Sequence, residues 1–262
     1  GYGGLLALTG DPDRPPVRPG VTVSDYLTGT FASQAAVAAL YRRDNRRSGT
    51  GTGAVIDACL YGSILRILEW TIAGHDRLGI VRGREGNRLG TSAQLDNYLC
   101  ADGRYVCLVA GSDANFARLC AAMGRPDLMT DERFSTLAER AAHSDLINGI
   151  VADWTVGLTA SEVEESAIEH DVPVATAYSA ADIAADPHMA ARGDLVEVDD
   201  PVAGVVLQQG PAVRLVGEPR HGPAPAPLLG EHTVEVLSGV AGLAGDEIEK
   251  LLESGVAVQH PG

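Results

Sequence analysis

One acid frames the chemistry this sequence could do. In RPGVTVSDYLTGTF (residues 18–31), Asp25 stands where a proline- and glycine-marked extended stretch gives way to an alanine-rich, helix-forming run. A carboxylate at a helix start has two readings. It can be an N-cap, worth about 1 kcal/mol, or it can do chemistry, as a nucleophile or as an acid/base group. Spacing alone leaves both open. Tyr26 beside it can line a pocket or fill a core.

Other polar residues read as structural. Asp57 in VIDACL fits a strand-end acid, and His232 in GEHT fits a helix start. GVAGLAGDE is glycine-patterned, but no strand precedes it, so it is not a dinucleotide fingerprint. Lys250 is the only lysine, which excludes Schiff-base chemistry and a Walker-type phosphate loop. The seven histidines show no metal-ligand spacing, so no metal is expected.

Composition narrows the partners. A net charge of −15 argues against nucleic acid, which needs clustered cations. Arg42, Arg43, Arg46 and Arg47 are locally dense, and such a cluster suits the negative end of a helix. No run reaches the roughly 20 apolar residues of a membrane span. Cys59, Cys100, Cys107 and Cys120 form no C-x-x-C pair and sit among apolar neighbours. They are expected to be buried, reduced thiols, which implies a cytoplasmic location. The opening GYGGLLALTG carries neither an initiator Met nor a basic n-region, and it reads as the interior of a longer chain.

The elements that must position Asp25 follow from periodicity. Residues 25–47 form a long helix, with Leu27, Phe31, Ala35, Ala38 and Tyr41 near helical spacing. AVIDACL (54–60) reads as a short buried strand leading into a second helix near 61–73. The Gly- and Arg-rich stretch at 74–94 marks a domain boundary. Beyond it, NYLCADGRYVCLVA is a hairpin turning at Asp102-Gly103. SDANFARLCAAMG is a helix capped by Ser112 and stopped by Gly124. Residues 131–155 give one or two amphipathic helices, and Thr159 with Glu162 makes a capping box. A strand (VPVATAYS), a helix near 179–193, short strands at 194–215, an extended HGPAPAP connector and two terminal helices complete a mixed α/β chain.

Four stretches, taken together and in order, resemble the family III CoA-transferases, the group that includes formyl-CoA and carnitine CoA-transferases. They are GGLLALTGDPDRPPVRPGVTVSDYLTG, AAVAALYRRDNRRSGTGTGAVIDACL, the set EGNRLGTSAQLDNYLCADGRYVCLV with LCAAMGRPDLMTDERF, and the set DPHMAARGDLVEV, GPAVRL and PAPLLGEHTVEVL. The resemblance implies an α/β fold in which part of a Rossmann-like large domain joins a small α+β domain, in an interlocked dimer. It divides the chain into a large-domain segment with the catalytic Asp (1–80), a small domain (81–181), a connector (182–208) and a C-terminal return to the large domain (209–262). The N-terminal portion that supplies most CoA contacts in such proteins has no counterpart here.

The same resemblance assigns chemistry. Asp25 with Gly29, before AAVAALYRR, matches the family's catalytic aspartate, which forms a covalent aspartyl-CoA intermediate as CoA passes between carboxylic acids. A carboxylate needs no general base to attack at neutral pH, so no triad is required. The family's mobile glycine-rich loop finds its nearest match in GNRLGTSAQ (86–94). Gly90, Ser92 and Gln94 are its expected substrate contacts, with Tyr26, although several of the family's glycines are replaced. The implied ligand is coenzyme A as acyl-CoA, with a small carboxylic acid, and the implied assembly is a homodimer, with or without a separate N-terminal segment. Two alternatives remain. The α-methylacyl-CoA racemases resemble the same family and would use Asp25 as an acid/base group. A non-catalytic half would need a separate N-terminal chain.

Overall fold

The computed structural model describes residues 1–45, 49–88, 95–219 and 222–261. The chain divides into two compact units, Gly1–Ala177 and Tyr178–Gly262.

The first unit begins with a one-turn helix α1 (Leu5–Leu8) and a proline-rich stretch. That stretch cannot be helical, because Pro12, Pro15, Pro16 and Pro19 remove donors and restrict their predecessors. Gly10, at φ 114°, turns it back so that the Val17 N–H donates to the Thr9 carbonyl at 3.0 Å. Arg84 fastens it, donating from Nε to the Asp11 carbonyl (3.0 Å) and from Nη2 to the Pro12 carbonyl (3.1 Å). Once the prolines end, α2 (Val23–Asp44) runs for 22 residues. Its last turn holds Arg42 and Arg43, where cations suit the dipole. Arg46 and Arg47 lie outside the described residues.

Two expectations fail in the next stretch. Residues 54–60 form no strand, and Val55 and Ile56 are exposed. A strand persists only where a neighbouring strand takes its backbone bonds, and among the described residues none pairs with these. The expected helix at 61–73 is two helices, α3 (Leu60–Arg66) and α4 (Thr71–Leu78), with Glu69 left-handed between them at φ 54°. Arg82 folds onto this break. Its guanidinium lies 4.8 Å from the Trp70 ring centre, 3.8 Å from the Glu69 carboxylate and 3.0 Å from the Thr71 hydroxyl.

The better-packed part of this unit is a three-stranded antiparallel sheet, β1 (Leu95–Leu99), β2 (Tyr105–Val109) and β3 (Val174–Thr176), in that order. The β1–β2 hairpin turns at Asp102-Gly103 as expected, with Gly103 at φ 79°. Alternation along β2 sends Val106 and Leu108 inward and Cys107 outward, as the period of two requires. Helices α5 (Asp113–Ala122), α7 (Ser144–Thr155) and α8 (Ala160–Glu169) pack around it, and α6 (Leu137–Ala142) packs against α7. Leu119, Val151, Val163 and Ala167 close the core over Val106 and Leu108. The Ser112 cap on α5 and the Thr159–Glu162 capping box on α8 both form.

The four thiols are free, but only two are buried as expected. Cys100 and Cys120 are buried, whereas Cys59 and Cys107 are exposed. Burial pushes the Cys120 thiol up to about 11. Cys107 is exposed because of its strand face, and Cys59 because the strand expected around it is not formed.

A second cluster, with Phe116, Leu128, Phe134 and Ile147, surrounds Arg140. The Arg140 side chain donates to the carbonyls of Phe134 (3.1 Å) and Gly111 (3.2 Å) and to Asp113 Oδ1 (2.7 Å), and it lies 4.5 Å from the Phe116 ring centre. One buried cation thus joins the segments before α5 and α6.

The second unit contains α9 (Ala180–Ala185) and α10 (Pro187–Arg192), then a hairpin of β4 (Leu195–Asp200) and β5 (Gly204–Gln209). Asp200 Oδ1 accepts the N–H groups of Val202 (2.9 Å) and Ala203 (2.8 Å) in its turn. The terminal helices are α11 (Thr233–Gly239), with His232 at its N-cap as expected of a helix start, and α12 (Gly245–Glu253). Among the described residues no helix is long and apolar enough to cross a membrane.

Replacing Arg140 with Met would keep the apolar stem and strand two carbonyls. Loss of about 3 kcal/mol is expected from the unmade charge-assisted bonds, read as a lower urea midpoint at unchanged slope. An unchanged midpoint would show that water replaces the guanidinium without cost.

Candidate active site

Asp25 is not the N-cap. That position belongs to Thr22, which makes no side-chain cap bond, and Asp25 lies in the first turn of α2. Its own N–H donates to the Thr22 carbonyl at 3.1 Å. Its carboxylate receives the Ser24 hydroxyl at 3.1 Å and no backbone N–H among the described residues. The side chain therefore sits in the favourable field of the helix N-terminus without being consumed by capping. It is exposed.

Two grooves meet at this carboxylate. One, of about 430 Å³, runs past Tyr2, Leu6, Val21, Tyr61 and Ile64, and Arg18 and Asp25 also line it. The other, also about 430 Å³, follows α2 past Tyr26, Gly29, Thr30 and Ser33, and it shares Thr22 and Asp25 with the first. The expected site residue Tyr26 thus belongs to a groove wall and is exposed, not a core aromatic. Gly29 has nothing within 4 Å of the position a Cβ would take, so the backbone of the second groove is open to a ligand.

The grooves depend on three chain segments. On α3, Ser63 and Ile64 are buried. The Ser63 and Thr28 hydroxyls meet at 2.8 Å, tying α3 to the turn of α2 just beyond Asp25. Ile64 seats the N-terminal strap. A Cβ on Gly3 would fall 2.7 Å from Ile64 Cβ and Cγ2 and 2.9 Å from the Tyr61 carbonyl, so only glycine permits this approach. Tyr2 then packs its ring edge-on to Tyr61, with centres 5.1 Å apart. The Tyr61 phenol is raised above its usual pKa, chiefly by its hydrogen bond with Cys59.

Gly90, Ser92 and Gln94 lie outside the described residues. The positions flanking them are joined, since Arg88 Nε donates to Asp96 Oδ2 at 2.7 Å, and Arg88 also pairs with Asp145 at 2.5 Å. Sequence reasoning missed Arg18, Tyr2 and Tyr61 as groove residues. Only Arg18 carried a signal, seven positions before Asp25 in the same quoted stretch. Asp57 has no strand to end and lines neither groove.

A family model described as CoA-transferase family III matches residues 1–233, and the chain belongs to that family. It is 36% identical over 249 residues to the succinyl-CoA–D-citramalate CoA-transferase of Chloroflexus aurantiacus, covering 95% of this chain and 61% of that protein. It is 33% identical over 237 residues to the succinyl-CoA:mesaconate CoA-transferase of Haloarcula hispanica, covering 90% of this chain and 58% of that one. A CaiB/BaiF family protein from Brucella suis has a similar structure, with a TM-score of 0.73 at 28% identity over 90% of this chain and 60% of that one. The chain thus spans less than two thirds of the length of these relatives.

Gly3→Ala tests the strap. The variant is expected to lose the seat on Ile64 and open the first groove, seen as faster hydrogen exchange in residues 1–8 and around Tyr61. Protection equal to wild type would show that Ile64 gives way to the added methyl.

Proposed function

We propose that this chain carries the acyl-transfer site of a CoA-transferase, moving coenzyme A between carboxylic acids with Asp25 as the covalent nucleophile. The observation that carries the reading is the state of that carboxylate. It stands exposed in the first turn of α2, spends itself on no backbone cap, and lies where two grooves join.

In this mechanism an Asp25 oxygen attacks the acyl-CoA carbonyl, the C–S bond breaks, and CoA leaves as its thiolate. The product is a mixed anhydride. The thiolate then attacks the Asp25 carbonyl carbon and expels the donor acid as its carboxylate, leaving an aspartyl-CoA thioester. The acceptor carboxylate reverses both steps. Each exchange becomes a pair of easier acyl transfers, and the N-terminal field of α2 favours the anionic attacking group. Gly90, Ser92 and Gln94 are assigned to the tetrahedral oxyanion and to substrate, as backbone and side-chain donors. Tyr26 is assigned to the wall of the substrate site.

The relatives' names supply a substrate class. Several are named for succinyl-CoA with a citramalate, malate or mesaconate partner, so the donor here is taken as an acyl-CoA whose acid is a dicarboxylate. The division into 1–80, 81–181, 182–208 and 209–262 belongs to this reading, as does a cytoplasmic location, supported by four free thiols.

The active form is taken to be a homodimer. No residue of α2 is buried, and Phe31, Val37, Leu40 and Tyr41 are exposed along it, apolar surface that a partner could cover. A second reading, assembly with a separately encoded chain, is favoured by relatives named as alpha and beta subunits of one transferase. Sedimentation velocity of the purified chain separates the two. A dimer mass supports the first, and a monomer that associates only with an added polypeptide overturns it.

Asp25→Asn is expected to lower exchange by roughly 10³-fold or more, the scale of removing a covalent nucleophile, with an unchanged melting profile. Wild-type protein treated with succinyl-CoA and then hydroxylamine should carry a hydroxamate at Asp25 in peptide mapping. An Asp25→Asn variant that retains exchange would sink the nucleophile assignment.

A further inference from the structure

We propose that Arg18 is the specificity-determining residue of the site, holding the second carboxylate of a dicarboxylic acyl group while the first reacts at Asp25. The inference deepens the acyl-transfer reading and rests on it.

Three observations carry it. First, among the described residues lining the two grooves Arg18 is the one cationic side chain and Asp25 the one anionic side chain. A dicarboxylate entering here finds a single counter-charge for its unreacted end. Second, Arg18 makes no hydrogen bond or ion pair with any described residue, although acids are plentiful in a chain of net charge −15. None of its five N–H donors is spent on a described residue, and a guanidinium matches a carboxylate with two parallel bonds.

Third, the backbone that carries Arg18 is held on both sides. The Val17 N–H is bound to the Thr9 carbonyl at 3.0 Å, the loop behind it is fastened by Arg84, and the Gly86 N–H donates to the Gly10 carbonyl at 3.0 Å. Pro19 follows, with its φ fixed by the ring. From Pro19 the chain runs through Gly20 and Val21 directly into the first turn of α2. Cation and nucleophile are therefore mounted on one short segment whose backbone is anchored up to Pro19, which keeps Arg18 seven positions from Asp25 on the same groove.

The groove between them suits the rest of such a molecule. Leu6, Val21, Tyr61 and Ile64 offer an apolar channel to methylene carbons. An acyl group ending in a methyl could fill that channel but would leave Arg18 unpaired. Discrimination of this kind, by a polar site group that the wrong substrate leaves unsatisfied, is the stronger form of specificity.

The test compares succinyl-CoA with butyryl-CoA, which carries a methyl group in place of the second carboxylate, using one acceptor acid. Arg18→Gln should raise the ratio of KM for succinyl-CoA to KM for butyryl-CoA by about tenfold, the scale of one charge-assisted hydrogen-bonded contact, and Arg18→Lys should recover part of it. Equal losses on both thioesters would overturn the proposal, assigning Arg18 to the CoA phosphates or to folding. An unchanged ratio would overturn it as well.

Calorimetric titration of free succinate and free butyrate into the wild-type chain and Arg18→Gln separates this inference from the reading it rests on. A succinate preference lost in Arg18→Gln supports the role of Arg18 even if Asp25→Asn retains exchange. No succinate preference in the wild type overturns it even if Asp25 is the nucleophile.

Discussion

The close approach of the Gly3 backbone to Ile64 is the constraint on which the candidate site depends. Ile64 is buried beneath the N-terminal strap, and its neighbour Ser63 reaches the Thr28 hydroxyl on the other side of α3. One turn of one short helix therefore holds both the strap and the long helix that carries Asp25. The three segments are far apart in sequence, so each contact must repay loop-closure entropy, which grows only slowly with loop length. An approach this tight has no tolerance for a side chain on residue 3. Without it the first groove would lose a wall, and Asp25 would keep only the second groove along α2.

Much of the local structure could be read from sequence, and the reason is the same in each case. The hairpin at Asp102-Gly103, the Ser112 cap and the Thr159–Glu162 box all rest on interactions within a few residues, which the sequence displays directly. The long helix was also legible, because prolines end at Pro19 and an alanine-rich run follows. Its start was misplaced by a few residues, and that difference matters chemically. Asp25 as N-cap would spend its carboxylate on backbone donors, whereas Asp25 in the first turn keeps it.

The failures involve partners that are distant or not in the described structure. Residues 54–60 look like a strand by composition, yet Val55 and Ile56 are exposed and no strand of the described residues pairs with them. The break at Glu69 is held by Arg82, thirteen residues on, and no helical period announces it. Tyr61 reaches the groove from α3, and Tyr2 by packing on Tyr61 from the strap, so nothing local marks them. The family resemblance singles out Asp25 because ordered motifs carry long-range information that propensity lacks. It could not show that Arg18 faces the same groove.

Electrostatics explains why one arginine can matter in so acidic a chain. A net charge of −15 should repel an anionic thioester or a dicarboxylate, but at physiological ionic strength screening acts over about 8 Å. Most of the acidic surface is then invisible from within a groove, and the field there is set by what lines it. What lines it is Arg18, the N-terminal dipole of α2 and Asp25. The cation and the helix end draw an anion inward, and the carboxylate that would repel it carries a hydrogen bond from Ser24, which draws off part of its charge. A negatively charged protein can in this way handle negatively charged substrates without a basic surface. In the proposed reading it needs only one guanidinium, unpaired among the described residues, mounted a few residues from Asp25.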